Sequence, residues 1–409
     1  MVIRKVVYLQ KISFAMGKYD FDCIIRRRGS GAMKVDGLTD IFGRNDLEGM
    51  WIADMDFAVA PPIKKALADR MAHPIYGYNV IPGEYWDSIT RWLDHRHGWK
   101  VEREEITFIP GVVKGIAFAI NFFTAKGDKV VIQPPVYHPF KMVIEGNHRV
   151  VVNNPLIPTK ESYRMDLEGL ERIFAEEHPR MMILCNPHNP VGIQWSRETL
   201  RKVASLAARY GVIVVSDEIH GDLMLDRRPH YPFASVSEEA ASVAVTLGAP
   251  SKTFNIAGLV SSWCVIKDEK LRKDFFSWLE TNEFNAPTFT AIIGTMAAYD
   301  HCEDWLDEML DYIAGNIKEV ENLLEELAPE IKMVRPEASF LIWLDCRGLG
   351  LDHNSLINMF LDKAHLALND GAMFGAEGEG FMRLNVGCPR SMLRHAVQSL
   401  ANALHPVEA

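Results

Sequence analysis

Several features are missing from this 409-residue sequence, and each absence removes a class of function. No run of lysines and arginines stands out, and the formal net charge is -10. Nucleic acid and anionic membrane surfaces are therefore not expected partners. No apolar stretch is long enough to cross a bilayer. The six cysteines (Cys23, Cys185, Cys264, Cys302, Cys346 and Cys388) include no CxxC pair, which argues against a zinc ribbon or a redox motif. The 14 histidines contain no HExxH pattern, so no metal site is expected. Internal repeats and low-complexity tracts are also lacking. Scattered thiols fit a reducing compartment, and the expected location is the cytoplasm.

The first residues, "MVIRKVVYLQKISFA", carry basic side chains, but Gln10 and Lys11 cut the apolar run short and no A-x-A follows. This is not a signal-peptide pattern. Residues 1–15 are expected to be a disordered or non-native extension, with Met16 as the natural start.

What is present suits a globular fold. Hydrophobic residues make up 48% and charged residues 24%, which allows a large core. The length is comfortable for two domains. Through the middle of the chain, short apolar runs alternate with helical patterns. The runs are "KVVIQ" (129–133), "RVVVN" (149–153), "MMILC" (181–185), "VIVVS" (212–216), "SVAVTL" (242–247) and "SSWCVI" (261–266). Continuous β-branched runs suggest strands buried on both faces, as in a mostly parallel sheet. "SRETLRKVASLAARYG" reads as a helix, with Ser196 as N-cap and Gly211 just past its end. The expected class is α/β, with a large domain over 58–295.

The last third differs. Leu306, Met309, Ile313, Ile317, Val320 and Leu324 recur at helical spacing over 304–327. "ASFLIWLD" (338–345) and "GFMRLNVG" (380–387) read as strands. A smaller α+β domain is expected from both chain ends, 16–57 and 296–409.

In open α/β sheets, ligands bind beyond the carboxyl ends of the strands. After "MMILC" comes "NPHNPVG", a tight loop that offers the amides of Asn186 and Asn189. After "VIVVS" comes Asp217, an acid whose burial demands a cationic partner. After "SVAVTL" comes "GAPSKTFNIAG", whose one lysine, Lys252, sits among small and apolar neighbours. Desolvation favours the neutral amine, which can attack an aldehyde through a Schiff base. Each signal has a bland reading: an Asx turn, a structural ion pair, a snorkelling lysine. Together, an amine, an acid and an amide at three successive strand ends match what pyridoxal phosphate needs. Its phosphate would suit the helix opening at "PGVV", where the N–H groups of Gly111, Val112 and Val113 are free.

"NPHNPVG", "SDEIH" and "APSKTFNIAG", in this order and spacing, resemble the fold-type I pyridoxal-phosphate enzymes of the aspartate aminotransferase superfamily. The resemblance covers nearly everything from Met16 onward. "ADMDFAVAPPI", "YGYNVIPGEY", "PPVYHPF" and "RLNVGCPR" are similar to one subgroup, the cystathionine β-lyase-like C–S lyases of the MalY/PatB type. The resemblance implies a seven-stranded, mostly parallel sheet flanked by helices in the large domain. It implies that Lys252 holds pyridoxal phosphate and later moves the substrate Cα proton. Asp217 would pair with the pyridine nitrogen, and Asn189 would donate to the phenolic oxygen. Tyr137 would stack on the ring, with His220 beside it. Ser251 and the 111–113 amides would hold the phosphate. Tyr78 would reach the phosphate of a neighbouring subunit, which implies a homodimer with shared active sites. Arg383 would grip the substrate α-carboxylate, helped by Asn186 and the backbone of Ala53.

Three positions depart from the aminotransferase pattern: His220 stands where Tyr is common, Val260 where Arg is common, and Ala249 where Ser is common. The first two are also similar to the lyase subgroup. The expected reaction is α,β-elimination from L-cystathionine, L-cysteine or a related S-substituted cysteine, yielding a thiol, pyruvate and ammonia. An aminotransferase using a 2-oxo acid is the rival, and a regulator acting through protein contacts is a third reading. His138 and His188 lie in loops that could touch substrate. Glu218 is expected to be a helix-start charge. Pocket size is expected to depend on the loops near 30–50 and 370–380.

Overall fold

The computed structural model describes residues 17–405, so the expectations for 1–15 and for Met16 lie outside the described residues. The architecture is mixed α/β and rests on one large sheet. Its strands are β1 (Ile106–Ile109), β2 (Lys129–Ile132), β3 (Val150–Asn153), β4 (Met181–Cys185), β5 (Ile213–Asp217), β6 (Ala244–Gly248) and β7 (Ser262–Val265). They lie in the order β1-β7-β6-β5-β4-β2-β3. The run from β6 to β3 is parallel, whereas β7 is antiparallel to both β1 and β6.

Both faces of this sheet are covered, as the continuous apolar runs require. Along β4, Met181, Ile183 and Cys185 join one hydrophobic cluster while Met182 and Leu184 join another on the opposite face. The exception is β3, an edge strand. Val150 and Asn153 are exposed there, so "RVVVN" is only half buried. β1 had no separate signal, because "ITFI" runs directly into the "PG" that opens the next helix. The run "SVAVTL" is also shorter as strand than as apolar pattern. Ser237 caps a helix over Glu238–Val243, and β6 begins at Ala244.

Helices α1 (Pro61–Met71), α2 (Gly83–His97), α3 (Val112–Phe123), α4 (Arg197–Tyr210), α5 (Pro250–Thr253) and α6 (Phe289–His301) surround the sheet. α4 forms as its sequence dictates. The Ser196 side chain accepts from the Thr199 N–H, and Gly211 ends the helix at φ 67°. α7 (Glu303–Leu327) buries its six periodic apolar residues, and α8 (Arg390–Leu404) packs against it. These two helices accompany an antiparallel sheet of β8 (Lys332–Val334), β9 (Leu341–Asp345), β10 (Asn369–Asp370) and β11 (Phe381–Asn385), ordered β8-β9-β11-β10. The N-terminal segment joins this part of the molecule: Glu48–Gly49 runs parallel to Leu366–Ala367. The expected boundary at 295 falls inside α6, which packs on α1 and α2 as one continuous helix.

Candidate active site

The carboxyl ends of β4, β5 and β6 open into a cavity of about 540 Å³. Its lining includes Lys252, Asp217, Asn189, Arg383, Tyr137, His220, Ser251, Ala53 and residues 111–113. Eleven of the expected site positions thus meet in one place, although they come from segments far apart in the chain.

Lys252 sits on the single turn of α5, just past β6. Its Nζ donates to the carbonyl oxygen of Ala53. Burial, opposed by Asp54 and reinforced by Arg383, lowers its pKa to about 8. A share of the lysine is therefore neutral near physiological pH, which a nucleophile or a proton acceptor needs.

Asp217 ends β5, and its Oδ1 accepts from the Ile219 N–H at 3.1 Å. Burial and the neighbouring Glu218 raise its pKa to about 7. Such an acid is poised for a cation to join it, because a buried carboxylate without a counter-charge is costly.

Arg383, on β11, is also buried. Its Nη1 donates to Asn189 Oδ1 at 3.0 Å and its Nη2 to Asn369 Oδ1 at 2.6 Å. Among the described residues, its Nε has no acceptor. Burial pushes the guanidinium down to about 10, with Tyr137 opposing. An amine, an acid and a guanidinium thus share one cavity, and each spends its hydrogen bonds on neutral groups. A buried acid and a buried guanidinium in one cavity suit a ligand that carries both a cationic and an anionic group.

Gly111 opens α3 at φ 115°, a conformation that favours glycine, and a Cβ there would meet open space. The first-turn N–H groups that follow lack intrahelical acceptors and suit a phosphate. Ser251 borders the same cavity. Tyr137 lines it next to His138, its ring edge-on to Phe140. These residues fit pyridoxal phosphate in every part: amine for the aldehyde, acid for the ring nitrogen, amide for the phenolic oxygen, helix start for the phosphate.

Not every expected residue is there. Asn186 does not line the cavity. Its Oδ1 accepts from the Trp195 N–H at 3.3 Å and its Nδ2 donates to the Tyr231 carbonyl at 3.1 Å, so it serves the loop's own fold. Tyr78 is fully exposed, in a segment that is exposed from Met71 onward, and takes no part in the cavity of its own chain. His138 lines the cavity, with burial lowering its pKa to about 4. His188 does not line it; its Nε2 lies 3.3 Å from the Gln133 carbonyl, and burial lowers it to about 4. His220 is buried and neutral at physiological pH, lowered to about 3 by burial and by the charges of Lys252 and Arg383. Glu218 starts no helix. It is buried, accepting from Ser216 Oγ at 2.7 Å and the Phe233 N–H at 2.8 Å, with His230 Nε2 at 2.9 Å.

Some site residues carried no sequence signal. Asn369 holds Arg383 and also accepts from the Ile52 N–H at 3.2 Å. Asn255 Oδ1 accepts from the Met55 N–H at 2.9 Å, and its Nδ2 donates to the carbonyls of Met55 and Phe57. This pins the 53–57 segment beside Lys252. The same segment is clamped by charge: Arg27 donates to Asp54 and Asp56 at 2.6 Å each, and the buried Lys34 to Asp56 at 2.6 Å. The loops flagged for pocket size do contribute to the wall, through Met33 and Met373. Val260 also lines it, held at φ 54°. That is an uncommon conformation for a β-branched residue.

Comparison with known proteins agrees with this geometry. The family profile for aminotransferase class I and II matches residues 45–400. The cystathionine β-lyase PatB of Bacillus subtilis strain 168 is 43% identical over 94% of this chain and 100% of its own length. A pyridoxal-phosphate-bound putative aminotransferase from Clostridium difficile 630 superimposes with a TM-score of 0.92 at 38% identity, covering 95% of this chain and 100% of that one. The pyridoxal-phosphate-bound C–S lyase of Staphylococcus hominis gives a TM-score of 0.88 at 32% identity, covering 96% and 99%. The chain belongs to the class I and II aminotransferase family. Within that family it stands with the cystathionine β-lyase and C–S lyase subgroup.

Proposed function

We propose that this chain is a pyridoxal-phosphate-dependent C–S lyase, acting on L-cystathionine, L-cysteine or a related S-substituted cysteine. One observation carries the reading: Lys252 and Asp217, from different strand ends, face one cavity with Arg383 in its wall. The similarity to PatB supports the lyase over other reactions of the family.

When bound, pyridoxal phosphate supplies a carbonyl that condenses with amines and a ring that accepts the electron pair left at the substrate Cα. Lys252 would hold the cofactor through its Nζ, and the same amine would take the substrate Cα proton. Asp217 keeps a positive charge at the ring nitrogen. Asn189 donates its amide N–H to the phenolic oxygen while its Oδ1 accepts from Arg383. Arg383 binds the substrate α-carboxylate, as a fork suits a carboxylate. Tyr137 covers the ring and excludes water. The N–H groups of 111–113 and the Ser251 hydroxyl hold the phosphate. The products are homocysteine, hydrogen sulfide or another thiol, together with pyruvate and ammonia.

The same assembly could transaminate, and the resemblance to the Clostridium difficile protein keeps that reading in view. The test is to supply L-cystathionine with no 2-oxo acid and measure pyruvate and free thiol. Catalytic turnover supports the lyase; turnover only after adding a 2-oxo acid replaces it with the aminotransferase.

We further propose a homodimer in which Tyr78 completes the phosphate site of the other subunit. Its full exposure, together with exposed Ile75, Tyr76 and Val80, supports that reading. Two domains are proposed, one around each sheet. A cytoplasmic location is favoured by five unpaired buried cysteines. No helix among the described residues is long and apolar enough to cross a membrane.

A further inference from the structure

Behind the cavity wall lies a buried carboxylate that the proposed chemistry does not use. Asp222 follows Asp217 by five residues on the same exit from β5. Its side chain is buried, and three donors from two other elements converge on it. Trp92 Nε1 donates to Oδ1 at 2.8 Å, and His97 Nε2 to the same oxygen at 2.9 Å, both from α2. Thr253 Oγ1 donates to Oδ2 at 2.8 Å. Thr253 is fully buried and is the residue directly after Lys252, on the four-residue turn of α5.

We infer that Thr253 and Asp222 are positioning residues: they fix the lysine-bearing turn against the strand exit that carries Asp217. The cofactor must be held at two ends at once, by Lys252 and by Asp217. α5 is too short to hold its own orientation, since a single turn has few internal hydrogen bonds. The Asp222–Thr253 bond joins its end to the segment that carries the acid. The other two bonds anchor that carboxylate to α2. There Trp92 stacks on Tyr299 with ring centroids 5.0 Å apart and meets Phe254 at 5.7 Å. Both oxygens of Asp222 are satisfied, so it has little freedom to follow a moving turn. Loosening the turn would let water reach Lys252, whose surroundings hold the charges of Asp54, Arg383 and Asp217.

The inference rests on the pyridoxal-phosphate reading, and the test separates the two. In the holoenzyme, Thr253→Val removes the hydroxyl at nearly constant volume, while Thr253→Ser keeps it. The expected result for Thr253→Val is a kcat lower by about tenfold or more with KM little changed, because only alignment is lost. The pH midpoint of the visible absorbance of the lysine-bound cofactor should rise by roughly half a pH unit as water gains access. Thr253→Ser should restore both. If Thr253→Val lowers only the melting temperature, with kcat and the midpoint of the band unmoved, the strut is structural and the inference is overturned. Should Thr253→Val not fold, Thr253→Ala is read by the same criteria. A wild-type protein without a visible band that depends on Lys252 would instead sink the cofactor reading itself.

Discussion

Arg383 and Asn189 lie 194 residues apart in sequence, yet the guanidinium Nη1 donates to the amide Oδ1 at 3.0 Å. This bond joins the group proposed to hold the substrate carboxylate to the group proposed to hold the cofactor's phenolic oxygen. It also orients Asn189: with Oδ1 committed to Arg383, the amide nitrogen is the end left for the cofactor.

Arg383→Lys is therefore expected to do more than weaken a charge. A lysine cannot fork to a carboxylate and reach both Asn189 and Asn369. KM for the amino-acid substrate should rise by an amount equivalent to about 1–3 kcal/mol. The dissociation constant of an unreactive amino-acid analogue, measured by spectral titration, should rise in parallel. Equal affinity in the two proteins would remove Arg383 from its role.

Asn369 offers a separate check on the same end of the site. Its Oδ1 serves both Arg383 and the Ile52 N–H. Asn369→Ala leaves the guanidinium charge in place but frees its orientation. We expect KM to rise by about 1 kcal/mol equivalent, with kcat affected less. A change in kcat alone would place Asn369 elsewhere in the mechanism.

The difference between these two residues shows how far the sequence could be read. Lys252, Asp217 and Asn189 each follow an apolar strand, so strand periodicity plus the strand-end rule finds them. Arg383 was found through resemblance, within "RLNVGCPR". Asn369 stands before a turn with no pattern of its own and meets Arg383 only because β10 pairs with β11, setting the two opposite each other. Glu218 was misread for a related reason: its partner His230 arrives from a loop twelve residues later, beyond the reach of local capping logic. Likewise Asn186 shares its loop with Asn189, which lines the cavity, while Asn186 does not. Only the tertiary path shows its amide spent on Trp195 and Tyr231. Seven strands were expected, but β1 hid beside the glycine turn that follows it.

Asp217 predicts a pH dependence of stability in the cofactor-free protein. Its pKa is 3.8 in the ordinary case and about 7 when folded. Between these values the folded chain keeps a proton that the unfolded chain has released. Stability contributed by this group must then fall as pH rises from about 4 to 7, and level off above. The full effect is up to roughly 4 kcal/mol. Asp217→Asn should flatten this fall in thermal melts of cofactor-free protein, and should be the more stable of the two at pH 8. In the holoenzyme the same substitution should lower kcat sharply, since the ring nitrogen loses its counter-charge. A stability difference between wild type and Asp217→Asn that does not change over this range would contradict the buried setting assigned to Asp217.

The proposed dimer is tested most directly by pairing two defective chains. Lys252→Ala removes the amine from its own cavity, while Tyr78→Ala spoils a residue that is exposed on its own subunit and is proposed to act in the other. In a hybrid dimer one cavity then carries both defects and the other carries neither. Mixing the two variants under conditions that exchange subunits should restore pyruvate production from L-cystathionine, although each variant alone is impaired. Sedimentation of the wild type should give a dimer. If Tyr78 acted within its own chain, every cavity in the mixture would keep one defect and no activity would return. A fully active monomer would exclude sharing altogether, and the exposed segment around Tyr78 would need another purpose.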